Sequence, residues 1–257
     1  MDNKLYFETA MLAGEIELRS GSEISRVEDT MQRILAQSGA QQAEVYATTT
    51  GIIASLTTEG TTPLTGVKRI AARANNLNRI YLVNEVSRQL CADKISVEDA
   101  YHKLVDIEHV KEHSDRLIWV CLILTVMGFT TLFGGNAYDF VLSAIPAAGM
   151  VLIERLIAHS IYIDFMKDII KTAEIAFLTM LVCYFFPEAH SGVIIISALM
   201  PLVPGIPITN GIRDTLQGDY TSGMARILEA LVVSIGIAVG AGIGLGLFHL
   251  LERGLML

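Results

Sequence analysis

The chain has 257 residues, of which 52% are hydrophobic, and its formal net charge is −8. The hydrophobic fraction is high for an ordinary soluble domain. The acidic net charge argues against a nucleic-acid partner, which would favour a basic surface.

Charge is distributed unevenly along the chain. Of 46 charged residues (19 Lys and Arg plus 27 Asp and Glu), 30 fall in residues 1–116 and 16 in residues 117–257. The start of the sequence lacks the long apolar segment of a secretory signal, so we expect its polar part in the cytoplasm. The three cysteines are far apart and form no CxxC pair, which indicates neither a zinc site nor a disulfide framework.

The first elements predicted are helical. Apolar residues repeat at helical spacing between Leu5 and Gln37, with an interruption from Ser20 to Glu23. Ser20 and Glu23 have capping-box spacing, so a second helix is expected to start there; a continuous kinked helix is the alternative.

Strands and two more helices complete the polar part. The segment after Gly39 is rich in β-branched residues and predicts two or three short antiparallel strands. Asn76 is then expected to cap a helix, and Ser96 opens another. Because the strands cluster instead of alternating with helices, residues 1–114 are predicted to form an α+β cytoplasmic domain.

Residues 115–257 predict a transmembrane domain. A helix that crosses the hydrocarbon core needs roughly 20 mainly apolar residues. Five stretches approach this, near residues 117–133, 138–158, 167–186, 192–210 and 224–251. The fold class expected is therefore an α-helical polytopic membrane protein, with about five transmembrane helices and an N-terminal α+β cytoplasmic domain.

Basic residues predict the orientation, because Lys and Arg near span ends favour the cytoplasm. With the N-terminal domain inside, only Arg253 faces out, and seven basic residues face the cytoplasm: Lys111, Arg116, Arg155, Lys167, Lys171, Arg213 and Arg226. The C-terminus is then external.

Three prolines, Pro201, Pro204 and Pro207, interrupt the fourth stretch. Proline removes a backbone donor, and broken helices at membrane depth commonly build a transporter's substrate site. The predicted substrate-binding residues follow this break: Pro204, Gly205, Pro207, Thr209, Asn210, Arg213 and Asp214. A kinked structural helix with a capped turn is the alternative.

Two segments resemble the threonine/serine exporter family of bacterial membrane proteins. The first is PLVPGIPITNGIRDTLQGDYTSGMARILEA, which contains the family's Pro-Gly-x-Pro-x-x-Asn and Arg-Asp pattern at Pro204–Asp214 and continues through Gly218, Asp219, Arg226 and Glu229. The second is GEIELRSGSEISRVEDTMQRI, which resembles its cytoplasmic helix through Gly21, Glu23, Arg26, Val27, Glu28 and Asp29.

The resemblance implies a secondary-active exporter, or an essential subunit of one, in a bacterial plasma membrane. Its substrates would be small polar metabolites such as threonine and serine. A succinate (dicarboxylate) exporter subunit and a membrane-anchored ligand sensor are the alternatives. Some relatives fuse two membrane halves, and this chain resembles the first half alone. A second, smaller membrane subunit or a homo-oligomer is therefore expected besides the lipid bilayer.

The remaining polar groups yield weaker hypotheses. Glu174, the deepest ionisable residue of the third stretch, is the candidate for proton coupling. His102, Asp106, His109 and His113 share one helical face and are interpreted as part of a charged, solvated helix beside the membrane. A metal site is the alternative for these four residues. Neither a metal nor a cofactor is therefore predicted.

No enzyme is predicted either, because the motifs of hydrolases, metalloproteases and nucleotide-binding enzymes are missing from the sequence. A hydrolase based on Ser22 or Ser25 is the less favoured alternative.

Glycines at four-residue spacing in the last stretch (Gly236, Gly240 and Gly244, with Gly242 and Gly246 in a second row) predict close helix packing. That packing is either within the chain or between subunits.

Overall fold

The structure is a computed structural model that describes residues 3–59, 62–71, 74–110, 113–157 and 163–255. Lys111, which entered the charge comparison, and Ala158, which ends the second predicted span, lie outside these ranges. The chain divides into two compact units. The N-terminal unit comprises Met1–Lys111 and Gly205–Glu229, and the apolar unit comprises Glu112–Pro204 and Ala230–Leu257.

The N-terminal unit begins with two separate helices, α1 (Asn3–Arg19) and α2 (Ile24–Ala36). Between them Gly21 has φ +85°, a left-handed conformation that glycine adopts without steric cost. The chain therefore turns here, and the alternative of one kinked helix is wrong. The predicted capping box is also wrong, because the N-cap of α2 is Glu23 and its side chain makes no cap hydrogen bond to the described backbone.

A three-stranded antiparallel sheet follows, made of β1 (Gln42–Thr48), β2 (Gly51–Thr57) and β3 (Leu64–Arg69) in the order β1-β2-β3. Side chains alternate between faces along the central strand, and its buried residues are Ile52, Ala54 and Leu56. These pack into the core with apolar residues of α1 and α2. The predicted strands are thus confirmed.

Helices α3 (Leu77–Cys91) and α4 (Val97–His109) complete the polar part of the chain. Their N-caps are as predicted, since the Asn76 side chain accepts a hydrogen bond from Arg79 N at 3.0 Å and Ser96 accepts one from Asp99 N at 3.1 Å. Val83 and Leu90 of α3 and Leu104 of α4 pack into the same core.

The apolar unit consists of helices and a short 3-10 turn at Met200–Leu202. Its helices before the prolines are α5 (Asp115–Leu132), α6 (Ala137–Leu142), α7 (Ala144–Ile157), α8 (Asp164–Phe185) and α9 (Ser191–Leu199). One of its small buried clusters joins α5, α7, α8 and α9 through Val126, Ala147, Met150, Ile175 and Ala198.

Two further helices follow the prolines: α10 (Gly205–Leu216) and α11 (Tyr220–Leu255). The single span expected over residues 192–210 is thus interrupted at Val203 and Pro204, and its second helix continues to Leu216. Pro207 lies in the first turn of α10, where the backbone N–H groups have no helical acceptor. Pro207 therefore costs α10 no internal hydrogen bond.

Among the residues that the structure describes, three helical segments are long and apolar enough to cross a membrane: Asp115–Leu132, Ala137–Ile157 and Tyr220–Gly254. A fourth is added if Ser191–Leu202 and Gly205–Leu216 form one broken span. Helix α8 has 22 residues, but its first half carries Asp168, Lys171 and Glu174. The described part of the chain is therefore mostly helical, with three to four candidate spans and a small sheet, and the number five stays a prediction.

The first glycine row of α11 packs within the apolar unit. A Cβ atom on Gly240 would overlap Thr172 and Ile169 of α8, and one on Gly244 would overlap Ala173. In contrast, a Cβ on Gly242 or Gly246 would meet no described atom within 4 Å. The row through Gly240 therefore lets the α11 and α8 backbones approach closely, which is the packing within the chain that was expected as one alternative.

Candidate functional site at the α1–α2 turn

The turn between α1 and α2, residues Ser20–Glu23, presents two backbone carbonyls. The N–H groups of Ser20 and Ser22 donate to Glu17 O at 3.1 Å each, and Gly21 N donates to Leu18 O, which closes the end of α1. The carbonyl oxygens of Gly21 and Ser22 remain as acceptors. Both are used by side chains from the proline segment and the helix after it.

Asn210 and Arg226 bind this turn from α10 and α11. Asn210 Nδ2 donates to Gly21 O at 2.9 Å, and Arg226 Nη2 donates to Ser22 O at 2.6 Å. Asn210 is 8% exposed and Arg226 is 4% exposed, so both bonds are shielded from water. The two sequence segments that resemble one family are therefore in direct contact, although about 190 residues separate them.

Asp214 is fully buried and holds the start of α2. Its Oδ1 accepts from Ile24 N at 3.2 Å, and its Oδ2 lies 2.9 Å from Arg226 Nε. Ile24 is the first residue of α2, where a carboxylate is favoured by the unsatisfied N–H groups and by the helix dipole. A side chain from α10 thus supplies the cap that Glu23 does not.

Arg213 is on the exposed side of α10 and pairs with Glu23. This pair has a different character from the Asp214–Arg226 pair, because the Arg213 side chain is 54% exposed. Glu23 also lies 3.9 Å from Arg26. One carboxylate at the turn therefore faces two guanidinium groups.

A cavity of about 330 Å³ lies inside the N-terminal unit between α10, the turn and α3. Thr209, Asn210 and Arg213 line it from α10, together with Gly205, and Leu77 and Ile80 line it from α3. Thr209 Oγ1 donates to Gly205 O at 2.9 Å within its own helix. Pro207 lines a separate cavity of about 80 Å³ with Arg226 and Glu229. The structure thus groups most of the predicted substrate-binding residues around one cavity, with Asp214 buried in its ion pair.

Close packing of α10 on α11 depends on two glycines that sequence reasoning did not single out. A Cβ on Gly211 would come within 2.9 Å of Ile227 and 3.1 Å of Gly223 O, and one on Gly223 would come within 2.7 Å of Gly211 O. This approach brings Asp214 and Arg226 within ion-pair distance. The Gly211–Gly223 separation of 12 residues resembles no local motif, so only the folded chain reveals it.

Glu174 lies apart from this site, in the apolar unit. Both of its carboxylate oxygens are buried, and neither has a hydrogen-bond partner within the described ranges. It faces Gly149 of α7, where any side chain would overlap it. Nearby, Lys171 is neutralised by Glu154 at 3.1 Å and Asp168 at 3.0 Å. Glu174 is therefore a buried acid that makes no described hydrogen bond or ion pair with Lys171, Glu154 or Asp168.

In the part of the chain that the structure describes, no three His, Cys, Asp or Glu side chains converge in a way that would hold a metal ion. His102, Asp106 and His109 are on α4. Ser22 is at the turn and Ser25 is in the first turn of α2, but neither side chain has a histidine among its described hydrogen-bond partners.

The apolar helices and the small α+β unit define a polytopic helical membrane protein. A sequence profile of the family described as "Putative threonine/serine exporter" matches residues 8–248. The chain belongs to this threonine/serine exporter family, as the resemblance predicted.

Two curated relatives show the extent of the match. A "Probable threonine/serine exporter" of Mycobacterium tuberculosis (strain ATCC 25618 / H37Rv) is 23% identical over 233 residues, which are 90% of this chain and 44% of that protein. An uncharacterised protein of Schizosaccharomyces pombe (strain 972 / ATCC 24843) is 22% identical over 194 residues, which are 73% of this chain and 23% of that protein. The chain spans less than half the length of both relatives. No solved structure matches it.

Proposed function

We propose that the chain is a secondary-active exporter, or an essential subunit of one, for small polar metabolites, with threonine and serine as the first candidates. The observation that carries this proposal is the contact of the two family segments at the α1–α2 turn, in a chain whose match to the family covers residues 8–248. A gradient drives export in this proposal, because the sequence has no Walker A loop for ATP.

The cavity beside α10 is the proposed substrate site. Its walls carry both charges that a free amino acid needs, a guanidinium from Arg213 and a carboxylate from Glu23. Thr209 and Asn210 add short polar groups, while Gly205 and the neighbouring Pro204 and Pro207 shape the start of α10. Asp214 does not line this cavity, but its hydrogen bond from Ile24 N and its ion pair with Arg226 hold α10 against α2 and thereby support the site.

Export from loaded cells tests this proposal. Cells with and without the protein are loaded with threonine, serine or succinate, and loss of each compound is followed and normalised to inserted protein. Arg213→Ala should reduce export about tenfold or more, because a charged hydrogen bond contributes roughly 1.5–3 kcal/mol. Asn210→Ala should reduce it as well.

Gln217→Ala is the matched control, because Gln217 is exposed just after α10 and does not line the cavity. A purely structural role for this segment predicts less inserted protein with normal export per inserted molecule. Normal export by the Asn210→Ala/Arg213→Ala double variant would remove the segment from the substrate site.

Glu174 is the proposed proton-coupling residue. Ionisable groups inside membrane segments mark ion pathways, and this one has no charged or hydrogen-bonding partner among the described residues. In proteoliposomes, Glu174→Gln should abolish the response of transport to a pH gradient and retain substrate exchange. Glu154→Gln, which loses only the contact with Lys171, is the control. A pH-driven response that survives Glu174→Gln would assign coupling to another group.

The proposed orientation puts the N-terminal unit in the bacterial cytoplasm. It rests on the bias of basic residues at the span ends. In a variant with the three native cysteines replaced by serine, Ser191→Cys should react with an impermeant thiol reagent in intact cells, and Lys94→Cys should react only after permeabilisation. The reverse pattern would invert the topology.

We further propose that this chain works as part of a larger transport unit, with a second membrane subunit or with copies of itself. The support is the relative from M. tuberculosis, of which the chain matches 44%. If the partner is a second membrane subunit, expression of this chain in a host that lacks that subunit should give little export, so the assay in loaded cells uses a host that supplies it. Full export by the purified chain in liposomes at one copy per vesicle would contradict this proposal.

A further inference from the structure

A second cavity of about 410 Å³ lies in the N-terminal unit, between α2 and α3. Every residue that lines this α2–α3 cleft is polar or charged. The charges are three arginines, Arg26, Arg33 and Arg88, against two carboxylates, Glu23 and Asp29, which leaves one net positive charge. A cleft that is lined by both signs of charge suits a ligand that also carries both.

The arginines differ in how they are paired. Arg33 Nε is 2.8 Å from Asp29 Oδ2 on the same helix, and Arg26 is 3.9 Å from Glu23. Arg88 has no ion-pair partner within 4.0 Å among the described residues, although it projects from the facing helix α3 into the same cleft. A ligand anion would therefore meet an uncompensated guanidinium there.

A buried acid fixes the polar groups at the base of the cleft. Glu17 is fully buried, and its Oε1 accepts from Thr30 Oγ1 at 3.2 Å and from Asn84 Nδ2 at 2.8 Å. Asn84 Nδ2 also donates to Ile80 O at 2.8 Å, so both amide hydrogens are used. The Asn84 amide oxygen is then the group that remains to accept a hydrogen bond from a ligand.

We propose that the α2–α3 cleft is a second binding site for a free α-amino acid, distinct from the cavity beside α10. The ligand carboxylate binds Arg88, the ammonium group lies against Asp29, and a side-chain hydroxyl reaches Thr30 or the Asn84 oxygen. A phosphate or dicarboxylate fits less well, because it would place two negative charges against Asp29 and Glu23.

Glu23 and Arg26 line both the cleft and the cavity beside α10. Glu23 also holds Arg213. A ligand in the cleft, with its ammonium group at Asp29, therefore shares the Glu23 and Arg26 wall with the cavity beside α10, so binding in the cleft alters the wall of the proposed substrate site. This part rests on the proposed function, whereas binding in the cleft does not require that the chain exports anything.

Calorimetric titration of the purified full chain in detergent with L-threonine, L-serine, succinate and inorganic phosphate tests the proposal. Threonine or serine should bind, and Arg88→Ala should weaken binding at one site by about tenfold or more, as expected for a lost charged hydrogen bond. Asp29→Asn should weaken the same site. Arg213→Ala should not abolish binding at this site, because Arg213 lines only the other cavity.

Arg69→Ala is the matched control, since Arg69 is an exposed arginine of β3 that lines neither cavity. Amino-acid binding that is unchanged in Arg88→Ala, or absent from the wild-type chain, overturns the proposal. Binding of phosphate or succinate that depends on Arg88 and exceeds that of threonine also overturns it, because the cleft is then an anion site. Arg88-dependent amino-acid binding supports the cleft whether or not the chain exports, so this experiment tests the cleft independently of the proposed function.

Discussion

Replacing Arg226 by methionine removes the guanidinium that neutralises a fully buried carboxylate. In Arg226→Met, the hydrogen bond from Ile24 N is what remains to the Asp214 carboxylate among the contacts described above, and Ser22 O loses the donor Arg226 Nη2. Breaking a buried ion pair from one side costs roughly 3–5 kcal/mol, because the remaining charge stays desolvated. Since 1 kcal/mol shifts the melting temperature by about 2–4 °C in a chain of this size, the melting temperature should fall by about 10 °C.

The exposed ion pair on the same helix provides the comparison. Arg213→Met removes the partner of Glu23, but the Arg213 side chain is 54% exposed, whereas the Arg226 side chain is 5% exposed. Exposed ion pairs contribute about 0–1 kcal/mol, so this variant should melt within a few degrees of the wild type. Comparison of the two arginine variants therefore separates the effect of burial on stability from the effect of losing one positive charge.

A second change at Asp214 tests the physical cause. In the Asp214→Asn/Arg226→Met double variant no charge is left buried, and the Asn oxygen still accepts from Ile24 N. The double variant should recover at least about 2 kcal/mol of the loss, because removal of both partners of a buried pair costs far less than removal of one. The measurement is the fraction of full-length protein that stays monodisperse in detergent after heating, followed by size-exclusion chromatography. A melting temperature of Arg226→Met that equals that of Arg213→Met, or losses that simply add in the double variant, would refute this reasoning.

Three further changes test the units separately by the same melting measurement. Burial raises the pKa of Glu17 from 4.5 to about 8. The contribution of this carboxyl group to the free energy of unfolding is therefore complete below pH 4.5 and is lost as the pH rises toward 8, by at most about 1.4 kcal/mol per pH unit. Glu17→Gln should remove this pH dependence of the stability. Asp139→Asn should cost roughly 1.5–3 kcal/mol, because its carboxylate accepts from the backbone N–H groups of Asn136 and His190, and a stability equal to wild type would contradict this. Gly240→Ala should destabilise the apolar unit through overlap with α8, whereas Gly242→Ala, at an open position, should not; equal effects would refute the assigned packing row.

Local signals predicted the elements of the N-terminal unit well. Asn76 and Ser96 each have a side chain that bonds a backbone N–H three residues later, which depends on sequence neighbours alone. The strands follow β-branched residues and glycine turns in the same way. These features could be predicted because all the interacting atoms lie within a few residues of each other or in adjacent strands.

The start of α2 was predicted incorrectly for the opposite reason. Ser20 and Glu23 have the spacing of a capping box, but Glu23 is drawn to Arg213 and the cap comes from Asp214, 190 residues away. The hydrogen bond from Ile24 N to the distant Asp214 carboxylate therefore replaces the local capping box. A contact between residues so far apart in the chain cannot be recognised from residue spacing in one sequence. The same applies to Glu174, whose isolation from the Lys171 cluster depends on how α7 and α8 pack.

The predicted substrate-site residues stay a prediction, which the sequence could narrow only to a region of the chain. The prolines coincide with the break before α10, yet Pro207 costs α10 no backbone hydrogen bond because it lies in the first helical turn. The contacts of Asn210 depend on where the α1–α2 turn lies, which the sequence does not reveal. In the structure Asn210 donates to Gly21 O, and both residues line the cavity beside α10.

Helix α11 runs without interruption for 36 residues, which at 1.5 Å per residue is about 54 Å. The hydrocarbon core of a bilayer is about 30 Å thick, so about 16 residues of an upright helix have to lie outside it. If the apolar C-terminal part crosses the bilayer, the residues left outside include Arg226. The helix is therefore long enough to place this arginine at the membrane border, where its buried pair with Asp214 is surrounded by protein and the cost of moving two charges into lipid does not arise.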